Sequence, residues 1–552
     1  MLQLSKTERK SLWRTVIEAI ERYQDNVASG PGVSAFVRGC ARVPGYSCVR
    51  AGARLSVPVG VRVGVLVLAL APGTVLAWIP RTTAGEPPLS RPAASRGHPA
   101  AGARNEDLLR LADEVAREVE GLRGWAFRHP VEKGVYTEAQ LRGFIEERFA
   151  EDYSGEELAA NEAFLHVIGA IPDSVSLRET ITEVLMSQVG GFYNPANKTF
   201  YMIEREGTKY PPIVDRVLVA HELTHALDDQ YVSLDSLMKA RERTQDGEFV
   251  TGALMEGSAT EIMTRYLTRA QASGRIQAAD LQGLMESEMD RGRVFLEAPP
   301  YFQTLLANYT CGMNFLLEGN LSALLGNDAG VDGGKNFLRA VADPPRSSEQ
   351  ILHPEKYWDR ETRDEPIVVD DEGVESILTG QGYRVEHRNT AGEILLAVVT
   401  TPADRVLNPL ASALPAYWTN GASMGWGGDR FYLLERIDAP SMGGPGKGES
   451  AKGDAVPPSS AGGGTPTGPT AGLWITLWDS PGDRDEFAAA YTGTRAGRDA
   501  IAMPLGSQGL AFLFGLSREA AGELAKALTP ERLRFRRGSE AWSPGEREPG
   551  TR

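Results

Sequence analysis

The chain is poor in cysteine and histidine. Three Cys in 552 residues (Cys40, Cys48 and Cys311) cannot build a disulfide framework or a cysteine-held metal cluster. Cys311 therefore reads as a small buried apolar residue. Basic charge is in deficit: 58 Lys and Arg face 73 Asp and Glu, a formal −15, and no basic patch with interleaved aromatics appears. Nucleic acid is accordingly not an expected partner. No internal repeat is evident. Long apolar runs are absent apart from one. Val63 to Ala71 is uncharged, follows Arg50, Arg54 and Arg62, and is broken by Pro72-Gly73. Val75-Leu76-Ala77 then offers the small residues a signal peptidase reads. The run is read as a signal peptide or, extended to Ile79, as a short membrane anchor.

Only seven His are present, yet two of them fall in His221-Glu222-Leu223-Thr224-His225. On a helix, residues i and i+4 lie one above the other, so both imidazoles can reach one metal ion. Glu222 lies about 100° round from His221, in reach of a water on that metal without being a ligand. In this arrangement zinc lowers the pKa of water to about 7 and a carboxylate takes the proton. Chance would place the pattern in roughly one chain in a hundred of this composition. Tyr210-Pro211-Pro212-Ile213-Val214-Asp215 reads as the start of the helix, which stays apolar on nearly every side as far as Leu227. Two unpaired imidazoles and a carboxylate in such a buried helix would be costly without a metal or hydrogen-bonded partners.

A catalytic zinc needs a third protein ligand and leaves its fourth position to water. Glu256 is the candidate, on a second helix expected from about Gly247 to Ala270. Gly252, Ala253, Gly257 and Ala259 surround it and would let this helix approach the first closely. Two glycines in a helix cost about 1 kcal/mol each relative to alanine, which points to a packing reason. Asp228 or Asp229, about one turn past His225, could orient an imidazole. Thr199 to Ile203 reads as a strand entered by the Asn194-Pro195-Ala196-Asn197 turn. As an exposed edge it could bind an extended peptide through main-chain hydrogen bonds.

Ala220-His221-Glu222-Leu223-Thr224-His225-Ala226 resembles the active-site helix of thermolysin-type gluzincins. Glu256-Gly257-Ser258-Ala259-Thr260 resembles the E-G-x-A-T segment of the zinc aminopeptidase branch. Two further segments, Gly191-Phe192-Tyr193-Asn194-Pro195 and Pro344-Pro345 through Glu349-Gln350-Ile351-Leu352-His353-Pro354, are similar to bacterial gluzincin-like proteins. The likeness covers roughly residues 105 to 540. It implies an α+β fold, Zn2+ held by His221, His225 and Glu256, and Glu222 as general base. Tyr309-Thr310-Cys311-Gly312 resembles the aminopeptidase Y-x-x-G segment, which implies a Tyr309 hydroxyl facing the oxyanion. His353, in a Pro-flanked loop, is the rival donor. About thirty residues separate His225 from Glu256, more than the family pattern, and an inserted helix from Leu234 to Arg243 would account for the excess. No G-x-M-E-N segment to hold a free amino terminus is found, which favours an endopeptidase.

The expected organisation starts with 1–55, unstructured or a start-site extension. A signal peptide or membrane anchor over 56–84 and a Pro-, Ala- and Arg-rich linker over 85–104 follow. Residues 105–380 would form the gluzincin-like peptidase domain. A smaller α+β domain over 381–540 would carry strands at Ile394–Val399, Phe431–Ile437, Leu473–Leu477 and Leu510–Phe514, helices at Glu486–Thr492 and Arg518–Leu528, and a flexible insertion at 441–470. The expected activity is peptide-bond hydrolysis by a secreted or periplasmic, or membrane-tethered, enzyme acting on a peptide or protein. The alternative is a non-catalytic zinc-containing binding protein that uses the cleft.

Overall fold

The computed structural model describes residues 99–204, 212–240, 243–277, 280, 293–325, 332–402, 405, 407–408, 411–437, 471–529, 532–537 and 540–542. The apolar run at 63–79 and the insertion at 441–470 lie outside the described residues. Helix outweighs strand, 56% against 17%, and the strands segregate into three sheets, which makes the fold α+β.

Helix α1 (Pro99–Arg123) buries Ala112, Val115 and Val119, spaced to lie along one stripe, and ends where Gly124 takes φ +75°. Strand β1 (Glu132–Thr137) leads into α2 (Glu138–Asp152), started by a capping box between Thr137 and Gln140. Strands β2 (Gly191–Asn194) and β3 (Thr199–Glu204) form a hairpin. In its turn the Asn194 side chain accepts from the Ala196 N–H, and Lys198 adopts φ +56°. The sheet order is β1-β3-β2, with β3 parallel to β1 and antiparallel to β2. The strand expected at an exposed edge is therefore the central one. Phe200 to Ile203 is an unbroken apolar run buried on both faces, which suits a central strand and not a half-exposed edge.

Helix α3 (Pro212–Asp229) begins at a proline, as the sequence suggests, and carries His221, Glu222 and His225. Helix α4 (Leu234–Lys239) lies where a helix from Leu234 to Arg243 is expected, and ends short of Arg243. Helix α5 (Gln245–Ala272) is capped by the Thr244 side chain and is buried continuously from Phe249 to Thr264. Helix α6 (Leu305–Leu316) lies along α5, separated by Thr304 from a short turn of helix at Pro300–Gln303. Backbone touches backbone here: a Cβ on Gly257 would lie 2.2 Å from the Gly312 carbonyl carbon, and one on Gly312 1.9 Å from the Ala253 oxygen. Gly257, beside Glu256, and Gly312, three residues past Tyr309, thus have a packing reason, but the helix that α5 approaches closely there is α6 and not α3, the partner expected from the sequence.

After α7 (Ser348–Leu352), β4 (Ile367–Val369) and α8 (Asp371–Gly380) comes β5 (Tyr383–Asn389). It opens a five-stranded antiparallel sheet of order β5-β6-β7-β9-β8, with β6 Trp426–Arg436, β7 Ala471–Trp478, β8 Ile501–Leu505 and β9 Gly509–Phe514. Three of the four expected strands are here, and the expected helices appear as α10 (Pro481–Thr492) and α11 (Arg518–Ala527). The fourth, Ile394–Val399, is instead the helix α9 (Gly392–Val399). A short apolar run reads as a strand or a buried helix equally well. Here Ile394, Leu395, Leu396, Ala397 and Val399 are all buried because α9 runs through the interior. Residues on both sides of position 380 share one core: Phe164, Phe249 and Phe315 lie in the same apolar cluster as Ile394, Phe431, Trp474 and Phe512.

Candidate metal centre

Helices α3 and α5 pack side by side and bring three donor atoms together. His221 Nε2 is 3.0 Å from Glu256 Oε2, His225 Nε2 is 3.1 Å from His221 Nε2, and His225 Nε2 is 3.5 Å from Glu256 Oε2. All three side chains are buried, at 2% exposure or less. They form a group able to hold a metal ion. The Nδ1 atoms of both imidazoles and Oε1 of Glu256 are buried without a hydrogen-bond partner.

Glu222 lies beside them, 1% exposed. Its Oε2 accepts the Tyr193 backbone N–H at 2.8 Å, and its Oε1 has no partner. Strand β2 therefore steadies this carboxylate, a role that sequence reasoning missed because it rests on a main-chain atom. Burial pushes Glu222 well above the usual carboxylate range, reinforced by the Glu256 charge and opposed by His225. Burial likewise acts to raise Glu256, but His225 and His221 outweigh it and hold that carboxylate low. The two imidazoles move apart. Burial, with the charge of His225, pushes His221 down, whereas the Glu256 carboxylate lifts His225 against its own burial.

Tyr309 is buried, and its ring stacks on that of His221, with centroids 5.7 Å apart and planes at 29°. The structure therefore brings together Glu222, Tyr309 and the three donors. His353 is not among their contacts. It follows the end of α7, where its Nε2 lies 3.0 Å from Oε2 of Glu393, a buried α9 residue that also accepts from Thr419. Neither aspartate after His225 hydrogen-bonds an imidazole. Asp228 faces Arg123 and Ser258, while Asp229 accepts from Tyr193 Oη at 2.8 Å, Lys198 Nζ at 2.6 Å and the Leu234 N–H at 3.0 Å. Both carboxylates are drawn to donors on other segments, which the helical spacing alone does not show.

A second group of side chains close enough to share a cation, Glu349, Asp364 and Asp479, already surrounds the Lys356 ammonium at 2.6, 3.0 and 3.4 Å. Among the described residues no helix is long and apolar enough to cross a membrane. No protein-family model, curated protein or solved structure matches the chain.

Proposed function

We propose that the chain is a zinc metalloendopeptidase of gluzincin type, with Zn2+ held by His221, His225 and Glu256. The observation that carries this reading is the spacing of the three donor atoms. Zinc bonds of about 2.0–2.1 Å in tetrahedral array hold ligand atoms roughly 3.3 Å apart, and the measured separations are 3.0, 3.1 and 3.5 Å. Two facing Nε2 atoms and one carboxylate oxygen also suit a borderline-soft cation. Among the described residues no fourth protein ligand joins the group, as in a centre that keeps one position for chemistry. When bound there, zinc would supply a water of pKa near 7 and polarise the substrate carbonyl.

Glu222 takes the proton of the attacking water and delivers it to the leaving amine. Its buried setting raises its affinity for a proton, which suits a group that accepts one from water. The Tyr193 N–H fixes one of its oxygens and leaves the other for the water. Tyr309, stacked on His221, donates its hydroxyl to the oxyanion as the tetrahedral centre forms. The substrate is a peptide or protein, and the apolar run at 63–79 would export or tether the enzyme. The near-complete burial of the donors and of Glu222 favours a second reading, a closed zinc site in a non-catalytic binding protein.

One experiment separates them. Purified protein should bind about one zinc per chain, and His221→Ala or His225→Ala should abolish binding. Glu222→Gln should keep the metal and lose hydrolysis across a broad peptide library. A wild-type protein that binds zinc yet cleaves no peptide would leave the binding-protein reading standing. Full activity in Glu222→Gln would remove the mechanism.

A further inference from the structure

We propose that Arg123 is a positioning residue for the metal centre: it fixes the axial register of α3 against α5, and so sets how Glu256 meets the two imidazoles. The inference rests on the metal-site reading above.

Arg123 is the last residue of α1, and its side chain is fully buried. The guanidinium lies 4.4 Å from the centre of the Trp125 ring and 5.5 Å from that of Phe337. Its Nη2 is 2.8 Å from Asp228 Oδ1 and donates to Ser258 Oγ at 2.6 Å. The Ser258 hydroxyl in turn donates to Asp228 Oδ2 at 2.6 Å, closing a triangle. Nη1 lies 3.6 Å from Glu261 Oε2. Asp228 is on α3, one turn past His225. Ser258 is on α5, two residues past Glu256. One cation from a third helix therefore ties together the two ligand-bearing helices just beyond their ligands.

Stability alone does not account for the arrangement. A buried ion pair is often no more stabilising than apolar side chains of the same volume. The directional link is the hydrogen-bond chain from Arg123 through Ser258 to Asp228, which supplies register. The close glycine contact of α5, at Ala253 and Gly257, is with α6 and not with α3, so it does not itself fix where α3 sits along α5. A slip of one residue moves a helix by about 1.5 Å, whereas a metal site tolerates about 0.2 Å in its ligand distances. Neither imidazole is held through its second nitrogen, so ring placement depends on where the helices sit.

The test compares zinc affinity, by competition with a chromophoric chelator, and the visible spectrum of the Co2+-loaded full chain in wild type, Arg123→Met, Arg123→Lys and Ser258→Ala. Arg123→Met should weaken zinc binding about 10–100-fold, the usual loss for an outer-shell partner, and alter the Co2+ spectrum. Ser258→Ala, which keeps the ion pair and removes the bridge, should lose about tenfold, the low end of that range. Arg123→Lys should fall between wild type and Arg123→Met, because an ammonium keeps the charge beside Asp228 but not the planar stacking on Trp125. A purely structural arginine predicts the contrary: metal-free and loaded forms lose stability equally, and affinity, spectrum and the zinc-induced rise in Tm are unchanged. That result overturns the proposal. If Arg123→Met fails to fold, Ser258→Ala and Arg123→Lys decide by the same readouts. A wild type that binds no zinc removes both this inference and the reading beneath it. Zinc binding with unaltered affinity in every folded variant removes the inference alone.

Discussion

Asp429 on β6 and Glu222 on α3 are carboxylates buried to similar depth, 4% and 1% exposed, and the fold treats them differently. Asp429 accepts four N–H groups: the backbone of Ala391 and Gly392 at 2.9 Å, and the indoles of Trp426 and Trp474 at 3.0 Å. It holds the start of α9 against the five-stranded sheet, and both of its oxygens are satisfied. Glu222 has one donor, on one oxygen, and the donor set beside it carries three more buried polar atoms without partners. Native interiors leave few such atoms, and those that remain mark catalytic groups, stored strain or ion sites. Asp429 is satisfied on both oxygens where it joins two elements, whereas Glu222 keeps one buried oxygen without a partner.

The largest effect should come from breaking the complete network. Asp429→Ala strands four buried neutral donors, each costing about 1–3 kcal/mol when left unsatisfied, and should cost about 4 kcal/mol or more. Denaturant unfolding measures it. A loss below about 1 kcal/mol, no more than one ordinary hydrogen bond, would end the contrast drawn here.

On the other side of the comparison, Tyr309→Phe should leave fold and zinc content intact and lower kcat about 10²–10³-fold with little change in KM. His353→Ala should act on stability instead, since its partner Glu393 belongs to α9 and its surroundings. An active Tyr309→Phe beside a folded, zinc-loaded but inactive His353→Ala would hand the oxyanion role to His353.

The helix contact that carries Tyr309 can be tested by adding one methyl. Gly312→Ala places a Cβ against the Ala253 carbonyl, so α5 and α6 must separate, at about 1–3 kcal/mol for an overpacked interior. It should also lower kcat by shifting the ring off His221. Unchanged stability and kcat would mean that the close approach is not needed.

The smallest effect concerns pH. Burial acts to lower the affinity of His353 for its proton, but the Glu393 carboxylate outweighs it and raises the value above the ordinary imidazole range. A raised folded-state pKa stabilises fully below the unfolded value, about 6.5, and that contribution is lost as pH rises through the folded value. The difference in Tm between wild type and His353→Gln should therefore shrink as pH rises through and above neutrality. A gap that grows with pH would reverse the assignment.

Much of the centre was legible in the chain because its logic is local. Helical period alone stacks His221 on His225, scarcity of histidine gives the pair weight, and the glycines beside Glu256 announce a close helix contact. The strands at 431–437, 473–477 and 510–514 are equally local, each a short segment dominated by apolar and aromatic residues. Sequence failed where the partner is remote. Residues 394–399 lie in a helix whose start is held from far along the chain, where Asp429 accepts the Ala391 and Gly392 N–H groups. The 199–203 strand became central because β1 arrives from some sixty residues earlier in the sequence.

The residue types of the three candidate donors, the helical spacing of the two histidines and the mixed α+β class are written in the chain, since period and composition act within a few residues. Long-range packing settles that Glu256 meets both imidazoles, that Tyr193 lends a backbone N–H to Glu222, and that Asp228 turns to Arg123 and Ser258. Each of these depends on how far one helix or strand is slid and rotated against another. Non-local packing fixes that quantity, and no window of the chain contains it.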